Sequence, residues 1–406
     1  MRLFDRVLIR VKDPKKPPQK FLCHVMHLML MLPGRMTFRN LSRYRPYHEK
    51  TFARWFACDV DFVRLNRAAI VEVVPPNHEH VLAFDPSFVP KSGKHSYGLD
   101  IFWNGAHSRA EQGLEIATLA WVDVTHHSAY TLSVEQTSPA PHRDTEDTRI
   151  DAYLAHMTRV VTTQPLQALK YLAVDGYFSN KKFVDGICAL DLHVISQLRR
   201  DAHLRHLYSG PRRNGPGRPN TDDGTVDISD SARVEPGEVD DADIARYSQV
   251  VNHPPLQRNL HLVVVRHRPT GRYALLLSTD VSLSAQTIYR SDKAHFQIEF
   301  LFRDAQQFTG LSDCQARSAS KLRFHFTASL SAVSFAKLEA RQHSDWPQAP
   351  FSMASLKRRY FNQHLVDRIV EHLAPEGRLE QSVPSMRRFV TTAQLLIWLL
   401  KFCPQY

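Results

Sequence analysis

Strand texture alternating with helical spacing predicts an α/β fold: a mixed sheet flanked by helices, interrupted by an insert, with helical amino- and carboxyl-terminal regions. Three observations carry this expectation. Runs rich in β-branched and apolar residues fill residues 71–202 and alternate there with stretches of helical period. A Gly/Pro-rich, first basic and then acidic segment over 203–260 breaks the pattern before it resumes over 261–335. Residues 1–70 and 336–406 read as mostly helical.

In chain order, RVKDPKKPPQK reads as a loop and the apolar run FLCHVMHLMLML as a core helix. Phe38 and Leu41, then Phe52, Trp55 and Phe56, fall at helical spacing, and Pro46 divides them into two short helices. AIVEVV, HVLAFD, LEIATLAWVDV and AYTLSVEQT read as strands, the last two joined by a THHS hairpin loop. A helix follows through Ile150, Tyr153, Leu154 and Met157, then strand YLAVDGYF, helix NKKFVDGICAL and strand LHVISQL. GPRRNGPGRPN and VEPGEVDDAD mark a loop-rich insert with little core of its own. LHLVVVRHR and RYALLLSTD return to strand texture, and one long helical stretch is expected over 284–308. SKLRFHFTASLSAVSFAKLEA, LKRRYFNQHLVDRIVEHL and the apolar run FVTTAQLLIWLLKF complete the chain as helices.

Composition narrows the function classes. The 406 residues are 43% hydrophobic and 23% charged, enough for a sizeable core and more than one domain. Net charge is +11, and residues 1–50 hold twelve Lys/Arg against three Asp/Glu, which points to a polyanionic partner. The five cysteines are odd in number and lack C-x-x-C spacing, which argues against a disulfide framework or a structural zinc knuckle and fits a reducing, cytoplasmic compartment. The two most apolar runs are shorter than the ~20 residues a membrane-spanning helix needs, so no membrane is expected as a partner, and no export signal opens the chain. The twenty-two histidines, the His126–His127 pair included, show no metal-ligand spacing.

Two aspartates end apolar strands, Asp85 after Val81-Leu82-Ala83-Phe84 and Asp175 after Tyr171–Val174. Strand ends are where open α/β sheets bind ligands, although an Asp there also commonly makes only an Asx-turn. A third acid, Glu299, lies on a helical stretch beside the apolar stripe Ile298, Leu301, Phe302 and Ala305. Three carboxylates in one crevice repel unless a hard cation such as Mg²⁺ neutralises them. Arg35, Arg39, Arg43 and Arg45 interleave with apolar positions near the amino end, which suits either a helix-turn-helix-like DNA contact or a solvated charged face.

The blocks FDPSFVPKSGKHSYGLDIFWNG, YLAVDGYFSNKKFV, LHVISQLRRDAHLRHLYSGPRRNGPGRP and AHFQIEFLFRDAQQFTGL resemble those of bacterial insertion-sequence transposases. More narrowly, they resemble the DDE cut-and-paste class with an RNase H-like core, in the insertion-sequence-four-like group, over roughly residues 35–335. The resemblance implies that Asp85, Asp175 and Glu299 are the catalytic metal ligands and that the cofactor is two Mg²⁺ ions, with Mn²⁺ able to substitute. It also implies transposition without a covalent enzyme intermediate: water cleaves the phosphodiester at the element's end, and the freed 3′-hydroxyl attacks target DNA. The partners would be double-stranded DNA (transposon ends and target), bound by a homodimer in the nucleoid. Arg199, Arg200, Arg212, Arg213 and Arg218, with Lys91, Lys94, Arg290, Lys293 and Arg303, become candidate phosphate contacts. The family's Tyr, Arg and Lys signature positions hold Asp292, His295 and Gln306 here. Two other readings stay open: a metal-dependent nuclease that cuts without joining, and a catalytically inactive, transposase-derived DNA-binding protein.

Overall fold

The computed structural model describes residues 2–11, 16–137, 148–210, 222–228, 235–236, 243–342 and 351–373. Five helices come first: α1 (Arg2–Val11), α2 (Lys16–Met31), α3 (Phe38–Arg43), α4 (Glu49–Trp55) and α5 (Phe62–Val73). The strands β1 (His80–Pro90), β2 (Asp100–Asn104), β3 (Arg109–Asp123) and β4 (Ser128–Gln136) lead to α6 (Arg149–Thr163). Then come β5 (Tyr171–Ala173), α7 (Lys181–Cys188) and β6 (His193–Leu198). The strands β7 (Arg205–Leu207), β8 (Asp222–Thr225), β9 (Glu235–Pro236), β10 (Ile244–His253), β11 (Arg258–His267) and β12 (Tyr273–Ser278) follow. The chain ends in α8 (Ala285–His295), α9 (Gln297–Phe308), α10 (Ala319–Arg341) and α11 (Met353–Leu373).

These elements divide into two compact units, one of residues 75–88 and 98–300, the other of the described parts of 1–74, 89–97 and the chain from 301 onward. The first unit holds the sheet. Its strands run β2-β3-β1-β5-β6-β12-β11-β10-β7-β8, with β4 also paired to β3 and β9 to β10. The segment β4-β3-β1-β5-β6 is an RNase H-like arrangement, in which β1, β5 and β6 are parallel and β3 and β4 form an antiparallel hairpin. The sheet then continues outward through antiparallel β12, β11 and β10.

Period-2 alternation puts helices on both faces. Phe84 of β1 is fully buried and packs edge-on against Tyr153 of α6 and against Phe178, with Phe183 of α7 at 6.4 Å between ring centres. On the opposite face Ile195, Val263 and Leu276 of β6, β11 and β12 bury Ile288 of α8, and Tyr171 of β5 joins them. Tyr171, Ala173 and Asp175 therefore share the α8 face. Ala83 pairs with Ala173, so Asp85 shares that face as well.

The second unit is helical and centres on α10, most of whose residues from Leu322 to Leu338 are buried. Phe335 meets Phe4 of α1 at 4.9 Å, Phe324 meets Phe56 at 4.6 Å, and Asn66 of α5 donates to Ser331 Oγ. A helix buried nearly all round reads as apolar without a clear stripe.

Several local expectations need correction. AIVEVV is the end of α5, not a strand: Asp61 caps the helix by accepting from Arg64 N–H, and burial of Leu65, Ala69 and Ile70 outweighs the weak β preference of Ile and Val. Lys16–Lys20, read as loop, opens α2, where Pro17 and Pro18 occupy the first turn and their missing N–H groups cost nothing. The helical stretch over 284–308 is two helices that meet at Phe296. The strand β2 was not foreseen, and β10, within the stretch read as loop-rich, pairs with β11 along ten residues. No helix among the described residues is long and apolar enough to cross a membrane. The expected apolar helix FVTTAQLLIWLLKF lies outside the described residues.

Replacing Phe84 by Ala should cost about 3–5 kcal/mol of folding stability, as for other fully buried aromatics. Urea unfolding followed by circular dichroism measures it, and a loss under ~1 kcal/mol would mean that this aromatic cluster does not hold the α6/α7 face to the sheet.

Candidate active site

Asp85 and Asp175 become neighbours through strand register. β1 and β5 pair in parallel with Leu82 opposite Leu172 and Ala83 opposite Ala173; two residues on, Asp85 comes level with Asp175. Adjacent strands lie ~4.8 Å apart, so the two acids sit side by side on the α8 face. The backbone at Asp175 is fixed from β6: Val174 N–H donates to Ile195 O, and Ser196 Oγ–H donates to the Asp175 carbonyl. Asp175 Oδ1 accepts the Tyr177 N–H at 3.0 Å, an Asx-turn that starts the 3₁₀ turn Gly176–Phe178. Gly176 allows that turn because a Cβ there would lie 3.2 Å from the Gln197 carbonyl oxygen. The Asx-turn orients this carboxylate and uses one face of one oxygen.

Glu299 reaches the same place from the first turn of α9. It lines a cleft of about 580 Å³ with Asp175, Gln197, Asp292 and His295. Asp85 is half-buried, and its carboxyl is pushed well above the ordinary range, first by burial and then by the charges of Asp175, Glu299 and Glu115. Burial also raises Glu299, with His295 acting the other way. Asp85 thus feels the charge of both other acids. No choice of one oxygen from each brings all three within 4.8 Å, so they are spaced more widely than the ligands of a single ion.

Two side chains at this site, Gln197 and Glu115, were not foreseen, and His295 and Asp292 stand where the sequence placed the family's signature positions. Gln197 Nε2 donates to Asp292 Oδ1 at 3.1 Å, which holds the Asp292 carboxylate over β6; burial raises this acid while the Gln197 bond and His295 lower it. Gln197 shares a face with Ile195, so strand alternation in LHVISQL contains that signal. Glu115 is buried on β3, accepts from Tyr153 O–H at 2.7 Å and lies 3.6 Å from Arg149. Its sequence setting, an acid inside an apolar strand, was the available sign. His295 Nε2 lies 3.4 Å from the Phe84 carbonyl, which anchors the end of α8 beside β1.

The basic candidates disperse. Lys293 lines the cleft and stacks over the Tyr289 ring at 4.4 Å, whereas Arg290 pairs with Glu79 at 3.0 Å. Arg199 pairs with Asp201, and Arg200 lies over the Tyr273 ring at 5.2 Å; both are exposed. Arg212, Arg213 and Arg218 lie outside the described residues. Lys91, Lys94, Arg303, Arg35, Arg39, Arg43 and Arg45 belong to the helical unit. There Lys91 donates to the Cys314 carbonyl, Arg303 pairs with Asp304, Arg45 is half-buried and the others are exposed.

A family model described as DDE superfamily endonuclease matches residues 19–247, more than half of the chain, a span that includes Asp85 and Asp175 and stops before Glu299. No curated protein sequence matches the chain.

The raised Asp85 carboxyl makes a pH prediction for the chain in chelator. Below the ordinary carboxylate range both folded and unfolded chains hold this proton and it contributes nothing. As pH rises, the unfolded chain releases the proton first, so stability falls until pH passes the raised folded value. Asp85→Asn should remove this loss and raise the thermal midpoint near pH 7.5 by about 2–4 °C, the worth of ~1 kcal/mol in a domain of this size. A midpoint that is unchanged or lower, at both pH 4 and pH 7.5, would mean that Asp85 is not held in the buried, crowded setting described.

Proposed function

This chain belongs to the DDE superfamily endonuclease family, and we propose that within it the chain acts as a transposase that cuts and joins DNA at the ends of an insertion sequence. The family makes DNA the substrate and a divalent-metal nuclease the expected enzyme class. The observation that supports the finer reading is the parallel register of β1 and β5, which brings Asp85 level with Asp175, while Asp175 and Glu299 line one cleft.

The residues fit a pair of hard cations. Their oxygen donors suit Mg²⁺, and the negative charge that Asp175 and Glu299 place on Asp85 calls for positive charge; two-metal chemistry would set the ions ~3.5–4 Å apart. Asp85, Asp175 and Glu299 would hold the ions, which when bound supply Lewis-acid activation of the attacking oxygen and stabilisation of the leaving 3′ oxygen. The chain's own contribution is orientation. The Asx-turn and the Ser196 bond fix Asp175, the anchor at His295 fixes the helix end that leads into Glu299, and Lys293 offers a positive charge to the DNA backbone at the rim. Arg199 and Arg200 would add phosphate contacts, and a homodimer would serve the two ends together. Asp292 and His295, where the resembling transposases carry Tyr and Arg, favour one second reading, a DNA-binding protein that no longer cuts. Asp292 is committed to Gln197 and adds negative charge where DNA would lie.

With Mg²⁺ and a duplex carrying the element's own end, the wild-type chain should nick and join DNA. Asp175→Ala and Glu299→Ala should each lower cleavage by at least about 10²-fold while DNA binding is retained. Wild-type binding without cleavage would favour the inactive reading, and cleavage that persists in both variants would overturn the site assignment.

A further inference from the structure

A second cluster, away from the three carboxylates, gathers two imidazoles and a carboxylate around one point. Asp123, at the end of β3, is fully buried. Its Oδ2 lies 2.9 Å from His78 Nδ1 and 3.5 Å from His126 Nδ1, and the two ring nitrogens are 3.3 Å apart. Among the described residues this is the group of three or more His, Cys, Asp or Glu whose ligand atoms all lie within 4.8 Å of one another. No local motif announces it, because His78 precedes β1 while Asp123 and His126 belong to the β3–β4 hairpin.

We propose that His78 Nδ1, Asp123 Oδ2 and His126 Nδ1 bind a first-row transition cation, with Zn²⁺ the expected occupant. Zn²⁺ holds His nitrogen at ~2.0–2.1 Å and carboxylate oxygen at ~2.0–2.2 Å, which in a tetrahedron sets the ligands about 3.3 Å apart. The three observed separations bracket that edge. Hydrogen bonds join the triangle when His78 Nδ1–H donates to Asp123 Oδ2 and faces a neutral His126 Nδ1, and a central cation would replace that proton and take a lone pair from each of the three atoms. Imidazole donors select a transition ion over Mg²⁺, which separates this site from the three-carboxylate cleft.

The surroundings have the support a metal site needs. Asp123 Oδ1 accepts the His126 N–H at 3.1 Å, which leaves Oδ2 facing the two rings. The segment before β1 is laced to the hairpin by Val124 N–H to Glu79 O and Glu79 N–H to Thr125 Oγ1. His80, whose Nε2 lies 3.0 Å from the Pro75 carbonyl, stands outside the triangle. Three protein ligands would leave a fourth position for water, and His126 is a quarter exposed. A bound ion would pin the lead-in to β1, the strand that carries Asp85, to the hairpin whose next residue, His127, lines the cleft with Asp175 and Glu299.

The test uses the full chain, stripped with chelator and dialysed, then titrated with Co²⁺ and back-titrated with Zn²⁺. We expect one equivalent of Co²⁺ with the intense visible absorption of a tetrahedral N/O site, displaced by Zn²⁺ and unaffected by excess Mg²⁺. The double variant Asp85→Ala/Asp175→Ala should keep this spectrum, whereas His78→Gln and His126→Gln should each weaken Co²⁺ binding at least about tenfold. Zn²⁺ should also raise the wild-type thermal midpoint. A wild-type chain that gives no tetrahedral spectrum and no Zn²⁺ shift would overturn the proposal without recourse to any variant. Histidine variants that bind as tightly as wild type, or a spectrum lost in the Asp85/Asp175 variant, would overturn it equally.

Discussion

Parallel pairing of β1 with β5 brings two like charges together, and much of the sheet unit can be understood as managing that conflict. Ala83 opposite Ala173 leaves no freedom in where Asp85 and Asp175 fall, because a one-residue slip would turn one of them to the other face. The aromatic cluster about Phe84 holds that register from the α6/α7 side, and the apolar contacts of Ile288 hold the other face under α8. Packing thus imposes the proximity that electrostatics resists. The Asp85 carboxyl is raised first by its burial and then by that proximity.

The strands added beyond β6 give α8 its seat. Val263 and Leu276 extend the apolar surface beyond the RNase H-like core, so α8 can lie across β6, β12 and β11 and deliver its last turn to β1. Phe296 then ends α8 and α9 begins, which carries Glu299 to the cleft within a single turn. Gln197 and Asp292 tie helix and sheet across the same face. The segment between the second and third acids is therefore part of the scaffold that positions the third.

Legibility in the sequence followed the range of the interaction. The THHS hairpin, the Pro46 break and Asp175 just past the end of β5 depend on neighbours in the chain and were visible there, whereas Asp85, expected to end its strand, lies within β1, whose pairing carries it on to Pro90. AIVEVV misled because its burial comes from α10, far away in sequence, and the weak helix preference of β-branched residues could not disclose it. β10 was hidden because IARYSQVVNH is half polar and gains its strand character from ten pairs with β11. The His78–Asp123–His126 triangle joins a loop to a hairpin that only the β1–β3 adjacency brings together. The resemblance to DDE transposases singled out Glu299 among many helix-borne acids, a choice that helical spacing alone did not make.

The central claim is that the crowded carboxylates are a divalent-cation site in which Asp85, its carboxyl pushed up by burial and by its acidic neighbours, gives up its proton more readily when the cation arrives. Calorimetric titration of Mg²⁺ near neutral pH, in two buffers of different ionisation enthalpy, tests it most directly. The account predicts saturable binding with proton release in the wild type, loss of binding in Asp175→Ala, and binding without that release in Asp85→Asn. Absence of Mg²⁺ binding at millimolar concentrations, or binding unchanged in Asp175→Ala, would contradict it.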